Sequence, residues 1–243
     1  MKISSIGIIG FGSFGKFVFH LAQEKFPDIS VKVSSLSHPA DGKKFFDISE
    51  VCKTDLLILC VPISAYKGTI EKIAPLLAEN TLVCDIATVK KHTAELLRTK
   101  NISRYISIHP MFGPYSYAKH GNSLEGLRMV FCETSLGTDE RADVITFFKN
   151  HGLSVLEMTA DEHDKLSAET LFLTHLVGQA VKKGNFHRTD LDTLSFGYLM
   201  DVVESVAHDD ELFHDVFKYN PYCKEVLARF EKAEQATAQS LKI

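Results

Sequence analysis

The chain has 243 residues, five cysteines and a formal net charge of −4, with 45% apolar and 24% charged residues. That is the balance of an ordinary globular protein, and no apolar run approaches the roughly 20 residues that span a bilayer, so no membrane partner is expected. No block of Lys and Arg is concentrated enough to follow a phosphate backbone, which turns the expectation away from nucleic acid and toward a small molecule.

The first half alternates short apolar runs with amphipathic stretches. Strands are predicted over residues 6–9, 31–36, 56–61, 82–86, 105–108, 129–132 and 153–158, with helices in most gaps. Continuously apolar strands suit a parallel sheet buried on both faces, so a doubly wound, Rossmann-type α/β domain is predicted over residues 1–159. Beyond Thr159 the strand signals stop. Leu166, Leu173 and Val177 recur at helical spacing, and a smaller all-α domain is predicted over 160–243, with Pro221 at a helix boundary or first turn. The cysteines, Cys52, Cys60, Cys84, Cys132 and Cys223, are scattered and form no C-x-x-C pair, so they read as reduced thiols, and no metal site is expected. The chain start shows no cleavable apolar segment, which makes the cytoplasm the expected location.

Ile6-Gly7-Ile8-Ile9 leads into Gly10-Phe11-Gly12-Ser13-Phe14-Gly15, a G-x-G-x-x-G directly after a strand and at the mouth of a helix predicted from Phe14 to Lys25. Gly10 permits the tight turn, Gly12 lets the backbone approach a pyrophosphate, and Gly15 lets helix and strand pack closely. The helix N-terminus, with Ser13 and Phe14, offers free N–H groups and the positive end of its dipole. NAD enzymes of this fold usually hold the ribose 2′-OH with an acid at the end of the second strand. Here the stretch is Val33-Ser34-Ser35-Leu36-Ser37-His38, without one. Ser35, Ser37, His38 and Lys43 favour a 2′-phosphate, so NADP is expected over NAD, which stays possible.

Ligands of open α/β sheets sit beyond the carboxyl ends of the strands, which singles out three segments. They are Val61-Pro62-Ile63-Ser64, Asp85-Ile86-Ala87-Thr88-Val89-Lys90 and Ser107-Ile108-His109-Pro110-Met111-Phe112-Gly113-Pro114. Together with Glu157 to Asp164, Thr174-His175, Asp209 to Phe213 and Phe217 to Asn220, they resemble the prephenate/arogenate dehydrogenases over nearly the whole chain, and look closest to the plant-type arogenate enzymes.

The resemblance implies oxidative decarboxylation of a cyclohexadienyl substrate on the route to tyrosine, by a homodimer that uses neither metal nor covalent intermediate. It places the catalytic base at His109, a hydroxyl partner at Thr88, and Val61 and Pro62 near the nicotinamide ribose. It places His175 in the substrate pocket, with His163 either there or stabilising the first turn of its helix. A base with a pKa near 6.5 suits the chemistry independently, because a proton must leave a ring hydroxyl as hydride leaves the same carbon. His163 and His175 are twelve residues apart, so a regular helix sets them about 120° from each other.

Where bacterial prephenate enzymes carry an arginine for a substrate carboxylate, this chain has Ser205. Asp209 matches the acid that the resemblance associates with arogenate, although an Asp also serves as a helix N-cap. Leu171 stands where plant-type members commonly carry glutamine. Lys90, Arg128 and Arg188 are candidate cations for the substrate's carboxylates, each otherwise a solvated surface charge. The competing readings are another two-domain dehydrogenase, such as a 3-hydroxyacid or imine reductase, and a non-catalytic NADP-binding sensor.

Overall fold

The structure, a computed structural model, describes residues 3–242. The chain divides into two compact units, Met1–Ala160 and Asp161–Ile243.

All seven expected strands form: β1 (Ser5–Ile9), β2 (Ser30–Ser34), β3 (Leu56–Leu59), β4 (Leu82–Asp85), β5 (Tyr105–Pro110), β6 (Arg128–Thr134) and β7 (Ser154–Glu157). They make one sheet in the order β2-β1-β3-β4-β5-β6-β7. The helices of this unit are α1 (Ser13–Lys25), α2 (Ile48–Val51), α3 (Tyr66–Ile73), α4 (Lys90–Thr99), α5 (Pro114–Lys119) and α6 (Thr138–Asn150). Ile8, Val33 and Leu57 are fully buried in the sheet, each adding about 1.5–3 kcal/mol of burial. Burial pushes the Cys84 thiol up to about 12, and all five cysteines are free.

The sheet departs from the parallel expectation at one pair. β6 runs antiparallel to β5, while the remaining pairs are parallel. Strand composition reports burial and not direction, so the reversal leaves no mark in the apolar pattern of β6. Several expected strand ends also shift: β2 stops at Ser34, leaving Leu36 fully exposed in a turn, β3 stops at Leu59, and β5 continues through His109 to Pro110.

Between α1 and α6 lies an apolar cavity of about 350 Å³ floored by Ile58, Leu82, Cys84 and Ile106. Phe26 and Phe147 stack across one end of it, and Phe17 meets Phe112 and Tyr117 at the other.

The second unit is helical, as expected: α7 (Ala160–Ser167, its first residue being the last of the other unit), α8 (Leu173–Lys183), α9 (Leu194–Ser205), α10 (Asp210–Tyr219) and α11 (Cys223–Ser240). Pro221 falls between α10 and α11. A π-helical turn, Ala168–Phe172, joins α7 to α8. Such a turn acts as one residue inserted into the helix, so positions on either side of it change phase by about 100°. This explains why Leu166 is 56% exposed although its spacing to Leu173 is that of a single helical face. It also corrects the 120° separation expected for His163 and His175. With one residue inserted, the twelve-residue step covers eleven helical steps, leaving about 20° between them.

Candidate active site

The glycine loop follows β1 at the point where the sheet order reverses, with β2 on one side of β1 and β3 on the other. Gly10 has φ +97°, and a Cβ there would stand 2.2 Å from the Cys60 carbonyl oxygen. A Cβ on Gly15 would stand 2.3 Å from the Gly10 carbonyl oxygen, so turn, helix and β3 are packed backbone to backbone. Gly12 differs, since a Cβ there would meet no atom within 4 Å. α1 begins at Ser13 with no side-chain cap and no acid in its first turn. An open glycine at an uncapped helix N-terminus fits a pyrophosphate. The Phe14 ring lines the apolar cavity and meets Phe17 edge-on, so only its backbone is left for a ligand at this helix start. Val61 and Pro62 follow β3 beside this loop, the Val61 methyl lying 3.1 Å from the Cβ position of Gly10.

Just past β2, three of the four expected polar residues, Ser35, Ser37 and His38, meet. The Ser35 and Ser37 hydroxyls are 3.0 Å apart, Ser37 Oγ is 3.0 Å from His38 Nδ1, and the His38 ring stacks on Phe45 and edges onto Phe11 of the glycine loop. Asp41 is the acid closest in sequence. Its Oδ1 accepts the backbone N–H groups of Lys43, Lys44 and Phe45, which hold its carboxyl below the usual range. The acid is thus occupied in a turn. A cation not singled out in the sequence also lies here: the Lys44 ammonium is 4.2 Å from the centre of the Phe11 ring. Its sequence signal was its place one residue beyond Lys43.

Thr88 and His109 leave neighbouring parallel strands at the same end. Asp85 and Ser107 are partners across β4 and β5; Thr88 follows Asp85 by three residues and His109 follows Ser107 by two. Thr88 is half-buried in the β4–α4 loop and His109 is 5% exposed. Contrary to expectation, His109 lies within β5, paired with Val130 of β6. The β5–β6 register slips between Ser107 and Ile108, one residue before it. Such irregularities bend a strand and re-aim the side chains that follow.

Lys90 is corrected outright. It is fully buried and bonded to Asp85 at 2.8 Å, so it is neither a surface charge nor a substrate clamp. Removing one partner of a pair so buried costs about 3–5 kcal/mol. Arg188 is already engaged by Asp201 and Glu204, both at 2.8 Å, and Arg128 stands exposed at the start of β6.

In the helical unit, His163 is buried with Nδ1 2.9 Å from Asp164 Oδ1. His175 is 7% exposed, its Nδ1 has no hydrogen-bond partner among the described residues, and its ring stacks at 6.3 Å on Phe213. Burial pushes its pKa below the ordinary value of 6.5, and the Asp209 carboxylate opposes that shift. Asp209 is the N-cap residue of α10, yet its side chain makes no capping bond. It holds the cap position without that bond, and its charge favours the protonated form of His175. Ser205 turns its hydroxyl onto the Val202 carbonyl at 2.8 Å.

Among the described residues no cluster of three or more His, Cys, Asp or Glu stands ready to hold a metal, and no helix is long and apolar enough to cross a membrane.

A switch-point glycine loop, a seven-stranded α/β sheet and a helical second unit define a dinucleotide-binding oxidoreductase. The comparisons narrow this. Residues 40–157 match the family model of the prephenate dehydrogenase nucleotide-binding domain, and residues 180–243 match a TYRAAT1-like C-terminal domain. Arogenate dehydrogenase 2, chloroplastic, of Arabidopsis thaliana is 31% identical over 97% of this chain and 69% of its own length. Arogenate dehydrogenase 1 of the same plant is 29% identical over 97% of this chain, which spans 39% of that longer relative. The prephenate dehydrogenase of Aquifex aeolicus, solved with hydroxyphenyl propionate and NAD+, superposes with a TM-score of 0.72 at 17% identity, covering 98% of this chain and 91% of that one. The chain belongs to the prephenate/arogenate dehydrogenase family.

Proposed function

We propose that the protein oxidatively decarboxylates arogenate in preference to prephenate, with NADP as the preferred cofactor, to form tyrosine. The observation that carries the reading is the placement of His109 and Thr88 on adjacent strand ends of the same unit as the glycine loop. When bound, a nicotinamide dinucleotide supplies the hydride acceptor, held by its pyrophosphate against Gly10, Gly12, Ser13, Phe14 and Gly15.

His109 takes the proton from the C4 hydroxyl of the substrate ring as the C4–H bond breaks, and Thr88 fixes the direction of that hydroxyl. The bond from the ring to its carboxylate then breaks, carbon dioxide leaves, and the electron pair completes the aromatic ring. His109 returns its proton to the oxygen, which ends as a phenol. His109 is buried, so water has little access to the proton in transit.

The cofactor preference rests on the Ser35, Ser37 and His38 cluster and on the diversion of Asp41 into its own turn. The substrate preference rests on Asp209. A carboxylate spared from capping pairs with the ammonium of arogenate and repels the keto acid of prephenate. Assays of the wild type and of Asp209→Asn with each substrate should show the ratio of kcat/KM for arogenate over prephenate falling about tenfold or more in the variant, one lost charge contact. An unchanged ratio would remove Asp209 from substrate choice. We assign a homodimer to the helical unit, on which Phe186, Leu191, Leu194 and Tyr198 are all more than 60% exposed. Light scattering should give twice the chain mass; a monomer at working concentration would overturn the assignment.

A further inference from the structure

The Asp85–Lys90 pair is fully buried in a part of the protein where an apolar core would serve stability as well. Its hydrogen bonds show what it holds. Asp85 Oδ2 accepts from Lys90 Nζ at 2.8 Å, Thr93 Oγ1 at 2.6 Å and Ser107 Oγ at 2.8 Å, while Oδ1 accepts the Ala87 N–H at 2.9 Å. Lys90 Nζ spends its remaining donors on the carbonyls of Asp85 at 3.3 Å and Ile108 at 2.8 Å. These bonds join β4, the loop after it, α4 and β5 at one point.

Two of the bonds land on peptides next to the reacting residues. The Ala87 N–H immediately precedes Thr88, and the Ile108 carbonyl immediately precedes His109. The second is placed where only one of the two ladders flanking β5 continues. The β4–β5 ladder ends at Asp85 and Ser107, and the β5–β6 register slips between Ser107 and Ile108. The backbone just before His109 has therefore left one ladder and sits at an irregularity in the other.

We propose that Asp85 and Lys90 form a buried clamp of positioning residues that sets the place of Thr88 and His109 relative to one another. The pair touches neither substrate nor cofactor. Its contribution is geometric, holding the base where the substrate hydroxyl meets it, and small displacements at this distance are costly to rate. The proposal rests on the reading of His109 and Thr88 as the reacting pair.

The test is the double variant Asp85→Asn with Lys90→Met, which removes both charges together and loses the bond to the Ile108 carbonyl without leaving a buried ion unpaired. The expected result is a kcat lower by about tenfold or more, with KM and the dissociation constant for NADPH within about twofold and a Tm close to the wild type. A kcat within about threefold of the wild type in the folded double variant would overturn the clamp. If the double variant does not fold, Thr93→Val removes one donor to Asp85. A selective loss of kcat there supports the clamp, and an unchanged kcat overturns it.

Should the wild type turn over neither substrate, the proposed reaction would fall while the clamp is still judged by NMR. The C2 proton of His109, assigned by its loss in His109→Asn, should shift or broaden in the double variant. An unmoved resonance would contradict the clamp.

Discussion

Replacing His109 by Asn is expected to lower kcat by about 10²–10⁴-fold, the range for loss of a general base, while the dissociation constant for NADPH stays near the wild-type value. Asn preserves much of the ring's shape and hydrogen bonding but accepts no proton near neutral pH. The residue is buried beside a register slip in β5, three strands from β1, which leads into the glycine loop, so dinucleotide affinity is expected to change little. The acidic limb of the kcat/KM profile, set by protonation of the base, should vanish with the histidine. A variant that keeps full activity and the same limb would show that His109 is a structural residue and would favour a dehydrogenase of another type.

Two glycine substitutions should separate two roles that a glycine motif combines. Gly12→Ala is expected to leave Tm unchanged, because its Cβ enters open space, yet to weaken NADPH binding by about 10–100-fold, the equivalent of 1–3 kcal/mol of crowding against the pyrophosphate. Gly15→Ala places its Cβ 2.3 Å from a backbone oxygen that has nowhere to go. It should lower Tm as well as affinity, because helix and turn must part whether or not cofactor is present. Titration of NADPH fluorescence and thermal melts of both variants make the comparison. Equal behaviour of the two would mean that the loop serves packing alone.

Sequence reading placed the glycine loop between a strand and a helix, and Thr88 and His109 near neighbouring strand ends, because both segments are short contiguous motifs with a strand before and a loop or helix after. It failed where the outcome depends on residues brought together by the fold. Lys90 looks like a surface charge until Asp85, Thr93 and Ile108 are seen around it; an acid ending the apolar run Leu82-Val83-Cys84-Asp85, followed by a lysine five residues on, was its only linear trace. His163 and His175 were set on different faces because helical spacing alone does not reveal an inserted π turn. The antiparallel β6 was missed because strand composition reports burial rather than direction. Asp209 was legible as an N-cap, and it occupies the position without making the bond.

The most direct measurement compares purified wild type with His109→Asn, mixing each with arogenate and NADP and following the absorbance of the reduced nicotinamide while tyrosine is quantified. Tyrosine and reduced cofactor formed in equal amounts by the wild type, and at least about a hundredfold more slowly by the variant, is the result expected of a dehydrogenase whose base is His109. Absence of both products from the wild type, with prephenate and NAD also tried, would contradict it.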